Sequence, residues 1–595
     1  MSWGWRTKPR SVVKTVQWFK YFSKLENKNW EEKLEQLDIR GKAIHPIRRE
    51  YVYNAHKDED ENLAQMSYED YVSGMFDITE TESNARNDKA TFEFFGFGYV
   101  DKDGIIQSTE VGKLIENDRF DSEDFIKQLL KMHFPSKATD IGRNIPDGKV
   151  IFPFEIILKI IDKFKYVNRY EMGFIFGCNS IEEIDTLYNA IEKFREKYNA
   201  IPNKTDRTKC ESIFKDIYKD NYGIEPNVNT LCGDYGDAIN RSLLYTGLFD
   251  LSGRGNYTKV RVAEHARKKV ELLINKYKFQ KVDADNIEDY MKWYGSSHNI
   301  TLPWENKDER KELIYEKIYL LQNKIEEYKK QYAFTIDKNI KEYIRRVEKT
   351  DKNTELKLIE KELIDDITSL NEEVFIKYIS KKEQTRKEIL DKFEDIITGN
   401  EDMAALWLEC NTWKSLIAID GEKKVKRNFT IEEDLSPRFF APGKGNTPDI
   451  ELYKDKYVIV PEVSLMTGVL QWEHEASSVI DHVLNIMKKY NSIYVIGLFI
   501  SSRINVRTMW QFFILNKQSW MGAPVPVIPL TIEQYMKVLK YTYNNNLVID
   551  ELNNLLNYIH KEAIECESYD QWDKNMETYI ENWKQKLLDK SRIKM

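Results

Sequence analysis

The chain has 595 residues, of which 41% are hydrophobic, 32% charged and 13% aromatic, and its formal net charge is −8. That length exceeds what one hydrophobic core supports, so several domains are expected, and 15 prolines and 25 glycines leave little for long flexible linkers. No run approaches the roughly 20 apolar residues of a membrane helix, and the negative balance confines any nucleic-acid contact to locally basic faces.

In chain order, the opening residues MSWGWRTKPRS are basic but lack an apolar stretch, so they do not read as a secretory signal. In Gly96-Phe-Gly-Tyr-Val-Asp-Lys-Asp-Gly-Ile-Ile-Gln107, two apolar runs flank the tight-turn sequence Asp101-Lys-Asp-Gly104. Thr109-Glu-Val-Gly-Lys-Leu-Ile115 then predicts a capped helix with Val111, Leu114 and Ile115 on one face. The order recurs at Leu244–Gly255, followed by Lys259-Val-Arg-Val and a helical Glu264–Leu273. Strand, turn, strand and helix, twice over, suggest two winged-helix-like modules, about 1–150 and 151–300. Two unrelated hairpins in an α+β domain are the plainer alternative. Residues 301–395 are dense in Lys, Glu, Ile and Leu and lack proline after Pro303, which predicts long solvated helices acting as a spacer. From about 396 to 595 the order becomes helix, strand hairpin, helix, strand, helix, an α/β pattern. The predicted fold is therefore multidomain α+β, with an N-terminal recognition region (1–300), a helical linker (301–395) and a C-terminal α/β domain (396–595).

The sharpest local signal is Pro448-Asp449 followed by the apolar runs Ile450–Tyr453 and Tyr457–Val463 around the polar turn Lys454-Asp455-Lys456. A hairpin centred between Asp455 and Lys456 places Asp449 directly opposite Glu462. Opposed side chains sit about 5 Å apart at Cβ, and like charges there are destabilising. A cation between them resolves the conflict, and hard divalent ions such as magnesium take carboxylate oxygens. In the helix predicted over Met403–Ile419, Glu409 shares a face with Ala405, Leu406, Trp413 and Leu416, so it points inward and needs a partner. In the helix predicted over Val469–Tyr490, Glu475 lies on the face of Gln471, Trp472, Val479 and His482; a partly exposed helix charge is its plainer reading.

With these residues in view, the hairpin resembles the PD-(D/E)xK nuclease core, and the wider chain resembles the AlwI family of type IIS restriction and nicking endonucleases. The likeness runs through Lys8-Pro-Arg-Ser11, the block from Arg86 through Gly96–Asp101 to Thr109-Glu-Val-Gly112, Phe125–Leu130 and Tyr245-Thr-Gly-Leu-Phe249. It continues in Glu409-x-x-x-Trp413, Gly497-Leu-Phe-Ile500 and Val527-Ile-Pro-Leu530. The resemblance implies that Asp449 and Glu462 are metal ligands assisted by the Val463 carbonyl, with Glu409 and Glu475 as accessory acids. It implies magnesium (manganese as a substitute), double-stranded DNA as substrate, and cleavage a few base pairs to one side of a short asymmetric site. It further implies a bacterial cytoplasmic setting and a cognate DNA methyltransferase. A homodimer or a small catalytic subunit would serve the second strand. A strand-specific nickase, or the large subunit of a heterodimeric enzyme, is the alternative within the family. A non-catalytic DNA-binding protein with a degenerate nuclease domain is the alternative outside it. A helical scaffold would leave the acidic hairpin unexplained.

Where the nuclease pattern carries a lysine two residues after the glutamate, this chain has Ser464. A second metal, or His474, Gln471 or Lys454, could fill that role. Pro461 inside a strand predicts an edge or a bulge. His474 and His482, eight residues apart, read as surface or core histidines rather than a metal pair. Arg10, Arg86, Lys89 and Arg241 lie in the resembling N-terminal blocks, where they could reach guanine edges or phosphates; each alone is an ordinary solvated charge. No phosphate loop of the Walker type is present. The five cysteines are odd in number, scattered and without a Cys-x-x-Cys pair, which argues against a disulfide framework and for a reducing compartment.

Overall fold

The computed structural model describes residues 2–57, 63, 65–74, 81–201, 206–252, 255–332, 340–399, 401, 404–439, 447–468, 471–490, 492–518 and 523–594. The chain divides into two compact units, Met1–Arg310 and Lys311–Met595. No helix among the described residues is long and apolar enough to cross a membrane.

The first unit is mainly helical and carries both expected hairpins. Strands β1 (Gly98–Val100) and β2 (Ile106–Ser108) pair antiparallel, with Gly98 opposite Ser108. Their turn forms because the Asp101 carboxylate accepts the amides of Asp103 and Ile105 at 3.0 and 2.9 Å while Gly104 takes φ +81°. Thr109 caps the helix Glu110–Glu116 through the Gly112 amide at 3.1 Å. Gly112 must be glycine: a Cβ there would lie 2.1 Å from the Phe97 carbonyl oxygen, so the helix seats directly on the hairpin. Further along the same unit, β3 (Tyr166–Asn168), β4 (Phe249–Ser252) and β5 (Lys259–Val262) form a sheet of order β3-β5-β4, followed by the helix Arg267–Lys276. Strand β3 is an addition that the sequence pattern did not announce. Residues 253–254 of the β4–β5 turn lie outside the described residues.

The end of this unit is fixed by a buried charge. Glu123 receives Arg310 at 2.9 Å on each carboxylate oxygen and the Trp304 indole at 3.0 Å. Arg310 is fully buried, and a bidentate pair at that depth holds only while both partners are present.

The helix Lys307–Tyr332, which crosses into the second unit, shares a core with the helices Ile340–Lys349 and Asn353–Val374, built on Ile314, Ile318, Leu321, Ile359, Leu363 and Ile367. The expected spacer thus buries an apolar seam. The next helix, Glu383–Thr398, sends Ile389, Phe393 and Ile396 into the same cluster as Leu408 and Trp413.

Around that cluster lie β6 (Val425–Arg427), the small pair β7 (Thr430–Ile431) and β8 (Pro437–Phe439), then β9 (Ile450–Tyr453), β10 (Tyr457–Ser464), β11 (Tyr494–Ser501) and β12 (Val527–Thr531). Five of them form one sheet of order β12-β11-β10-β9-β6. Strands β10, β11 and β12 run parallel, β9 runs antiparallel to β10, and β6 pairs antiparallel with β9 and so shares the direction of β10. Every residue of β10 is buried, as expected for the centre of a sheet covered by helices. The helix Ala404–Asp420 packs on β6, β8 and β10; Ala476–Lys489 packs on β10 and β11.

Pro461 corrects the edge expectation. It sits in the central strand, opposite Leu498 of β11. The ladder to β9 is recorded only at Val458 and Ile459, so proline stands just past the end of that ladder.

Candidate active site

The hairpin closes through the Lys454 amide, which donates to the Tyr457 carbonyl at 2.9 Å. Val458 pairs with Tyr453 and Ile459 with Leu452, a register that, continued, sets Asp449 opposite Glu462. The Val463 amide donates to Asp449 Oδ2 at 3.0 Å. Asn428 pins the strand entry from the other side, donating its amide to the Asp449 carbonyl at 3.0 Å and its side chain to the Pro448 carbonyl at 2.7 Å.

Glu462 is 5% exposed and Asp449 half-buried. Burial, then the charge of Glu462, pushes the Asp449 carboxyl well above its ordinary range; Glu475 adds to this, while the Val463 amide and His482 oppose it. Glu462 is likewise raised well above its ordinary range, by burial first and then by Glu475 and Glu409. Asp449 stands within hydrogen-bonding reach of Glu462, and that contact opposes the rise. Glu462 thus feels the other three acids named from the sequence, and Asp449 feels Glu462 and Glu475. Glu409 arrives buried on Ala404–Asp420, and Glu475 half-buried at the end of the π-helical turn Gln471–Glu475.

His482 was read from the sequence as an ordinary surface or core histidine, yet its Nδ1 lies 2.7 Å from Glu462 Oε1. Burial holds the ring below the usual imidazole range, against the pull of Asp449. A neutral ring that donates from Nδ1 fits the Ser478 hydroxyl, 3.4 Å from Nε2. Helical spacing could not have shown which strand residue this ring faces.

Two of the lysine stand-ins are corrected. Gln471 is fully buried; it donates to the Met466 and Arg503 carbonyls and the Ser501 hydroxyl and accepts the Asn505 amide. All its polar atoms are thus committed to shaping the loop. Lys454 pairs with Glu422 at the turn end of the hairpin. At about 3.3 Å per residue it is roughly 15 Å along the strand from Asp449, beyond its reach. The His474 side chain lies outside the described residues. Ser464 itself accepts the Met466 amide at 3.0 Å. Glu451, two residues along from Asp449, is buried with Lys426, Asn428 and Tyr453 as partners, a structural arrangement.

Of the four basic candidates, Lys89 pairs with Glu93 one turn away at 3.0 Å, and Arg86 is exposed. Arg10 and Arg241 come together around Asp234 and Asp237.

The donor set suits a hard divalent ion: oxygen ligands, closely placed, whose charge nothing but a cation or a proton relieves. Asp449, Glu462 and the Val463 carbonyl would hold it. A residue's N–H and C=O point to the same side of a strand, so the amide that meets Asp449 carries its carbonyl to that side too. Among the described residues, no group of three or more His, Cys, Asp or Glu is already arranged to hold a metal.

Comparison with known proteins places most of the chain in one family. The family model for AlwI restriction endonuclease matches residues 95–538, a span that contains Glu409, Asp449, Glu462, Glu475 and Arg241 and begins after Arg10, Arg86 and Lys89. No curated protein matches the chain. Among solved structures, the small subunit of the heterodimeric restriction endonuclease R.BspD6I matches at 23% identity, over 33% of this chain and 98% of that one, with a TM-score of 0.28.

Proposed function

Because the chain belongs to the AlwI restriction endonuclease family and so is a type II site-specific endonuclease acting on DNA, we propose that it cuts a few base pairs to one side of a short asymmetric site. In this reading residues 1–310 choose the site, and the Asp449/Glu462 hairpin hydrolyses the phosphodiester with a divalent cation, magnesium by preference. The observation that carries it is the closeness of two acids from neighbouring strands, Asp449 being held by the Val463 amide and raised by the charge of Glu462. The cation, when bound, would stabilise charge on the phosphate and make a bound water more acidic. The chain's own part is to hold its ligands. The Val463 amide orients Asp449, His482 orients Glu462, and the negative charge of Glu409 and Glu475 draws positive charge to the pair.

One such constellation attacks one phosphodiester at a time, and the strands of a duplex run antiparallel. The single centre therefore supports nicking first, with the second strand cut through a second copy, a partner subunit or reorientation. The test is a plasmid time course in magnesium at several enzyme concentrations below that of the plasmid, followed by sequencing of the ends. Nicked circles should precede linear product, and the ends should map to one offset from one sequence. Asp449→Ala and Glu462→Ala should abolish cleavage while keeping DNA binding. Full activity in either variant removes the hairpin as the site, and linear product formed at once by a chain shown to be monomeric overturns the single-centre argument.

A further inference from the structure

Within the first unit, residues 2–11 lie against the π-helical turn Asn229–Tyr235. Gly4 leaves no room for a side chain: a Cβ would stand 2.8 Å from the Tyr235 ring. Such turns are rare and concentrate at functional sites. Beside this contact, three arginines from separate parts of the chain meet two carboxylates. Asp237, its side chain 9% exposed, takes Arg169 at 2.5 Å on Oδ1 and Arg241 Nε at 2.8 Å on Oδ2. Arg10 pairs with Asp234 at 2.6 Å and comes within 3.8 Å of Asp237.

The arrangement is more than ion pairing needs. Three guanidiniums share two carboxylates, and they repel one another: burial first, then Arg241 and Arg10, hold Arg169 below its ordinary range against the attraction of Asp237. Arg10 and Arg241 keep about half of their side-chain surface exposed. The bond from Arg241 uses Nε, so it leaves the two terminal nitrogens uncommitted. A carboxylate that grips the inner edge of an arginine fixes its plane, and the outer pair of nitrogens then matches O6 and N7 of guanine. Next to the cluster opens a groove of about 410 Å³ lined by Trp5, Arg6, Lys8, Asn87 and Tyr235.

We infer that Asp237 holds Arg241 as a reader of one guanine edge in the major groove, with Arg10, held by Asp234, beside it. Arg169 is a positioning residue that fixes Asp237. The inference rests on the endonuclease reading above and adds to it the base that this part of the chain recognises.

The test uses the full chain in EDTA. Two labelled duplexes of equal length are compared, one carrying the site mapped from plasmid ends and one unrelated, across a range of salt. Arg241→Gln should weaken the specific complex roughly tenfold to a hundredfold, leave the unrelated duplex unchanged and keep the same salt dependence. Replacing one guanine of the site with 7-deazaguanine should weaken the parent chain but not the variant. Should Arg241→Gln lower the thermal midpoint, Arg10→Gln provides the second reading, since its guanidinium is also half-exposed. Equal weakening on both duplexes, with a salt slope shallower by about one, would mean a phosphate contact and overturn the assignment. So would unchanged specific affinity, with the endonuclease reading left standing. If no defined site can be mapped, the endonuclease reading fails and takes this inference with it.

Discussion

Replacing one acid of the hairpin should stabilise the cation-free protein, the opposite of what most buried substitutions do. The register of the hairpin, continued, sets Asp449 opposite Glu462, and burial together with the charge of neighbouring acids raises both carboxyls. Two unit charges about 5 Å apart at an effective dielectric near 20 repel by roughly 3 kcal/mol. A carboxyl raised on folding binds a proton in the native state that the unfolded chain has released. Its favourable contribution is complete below the ordinary carboxylate range and is lost as pH rises through the raised native value. Stability in EDTA should therefore decline from mildly acidic to alkaline pH, and Asp449→Asn or Glu462→Gln should flatten that decline.

At about 2–4 °C of midpoint per kcal/mol for a unit of this size, either variant should melt up to about 10 °C higher than the parent at alkaline pH, and close to it near the ordinary carboxylate range. Magnesium should raise the parent's midpoint through its occupancy of the native state, by about 2.7 kcal/mol at a hundred times the dissociation constant. It should leave the variants unmoved. Circular dichroism melts across pH, with and without magnesium, measure all of this. A uniform loss of stability in Asp449→Asn at every pH would refute the reasoning, since the pair would then be an asset without the cation.

Two further outcomes are expected. A fragment ending at residue 300 should be less stable than one ending at Arg310 by about 3–5 kcal/mol, because it strands the Glu123 charge without Arg310 and Trp304; paired urea melts would expose the idea as wrong by coinciding. His482→Gln should weaken magnesium affinity about tenfold to a hundredfold by releasing Glu462, with DNA affinity in EDTA unaltered; titrating the thermal midpoint with magnesium reads this without cleavage, and an unshifted titration would show that Glu462 is held without the ring.

The hairpin was legible because three local signals agreed: alternating apolar runs, a polar turn of defined centre, and two acids whose residue numbers place them opposite each other. The capped helix at Thr109 and the turn at Asp101–Gly104 were legible for the same reason, since their hydrogen bonds close within a few residues. What escaped depends on neighbours distant in sequence. Strand β3 is only three residues long and is defined by its pairing to β5, more than ninety positions later. Glu475 was placed on a straight helix, but the chain enters that helix through a π turn, which changes the face of every residue before Ala476.

His482 and Ser464 carry the same lesson into the chemistry. Reading the absence of lysine at Ser464 as a vacancy directed attention to residues near it in the chain. Gln471, seven positions on, is consumed by four partners in the loop, two carbonyls, a hydroxyl and an amide, and Lys454 by Glu422 at the far end of the strand. The side chain that does reach the acids comes from the crossover helix between β10 and β11. In a parallel β-α-β unit that helix must lie back across the strands it connects, so its buried face is aimed at the sheet wherever the chain's numbering places it. The crossover alone thus identifies the element to search for a partner of Glu462, and packing in three dimensions then selects His482 from it.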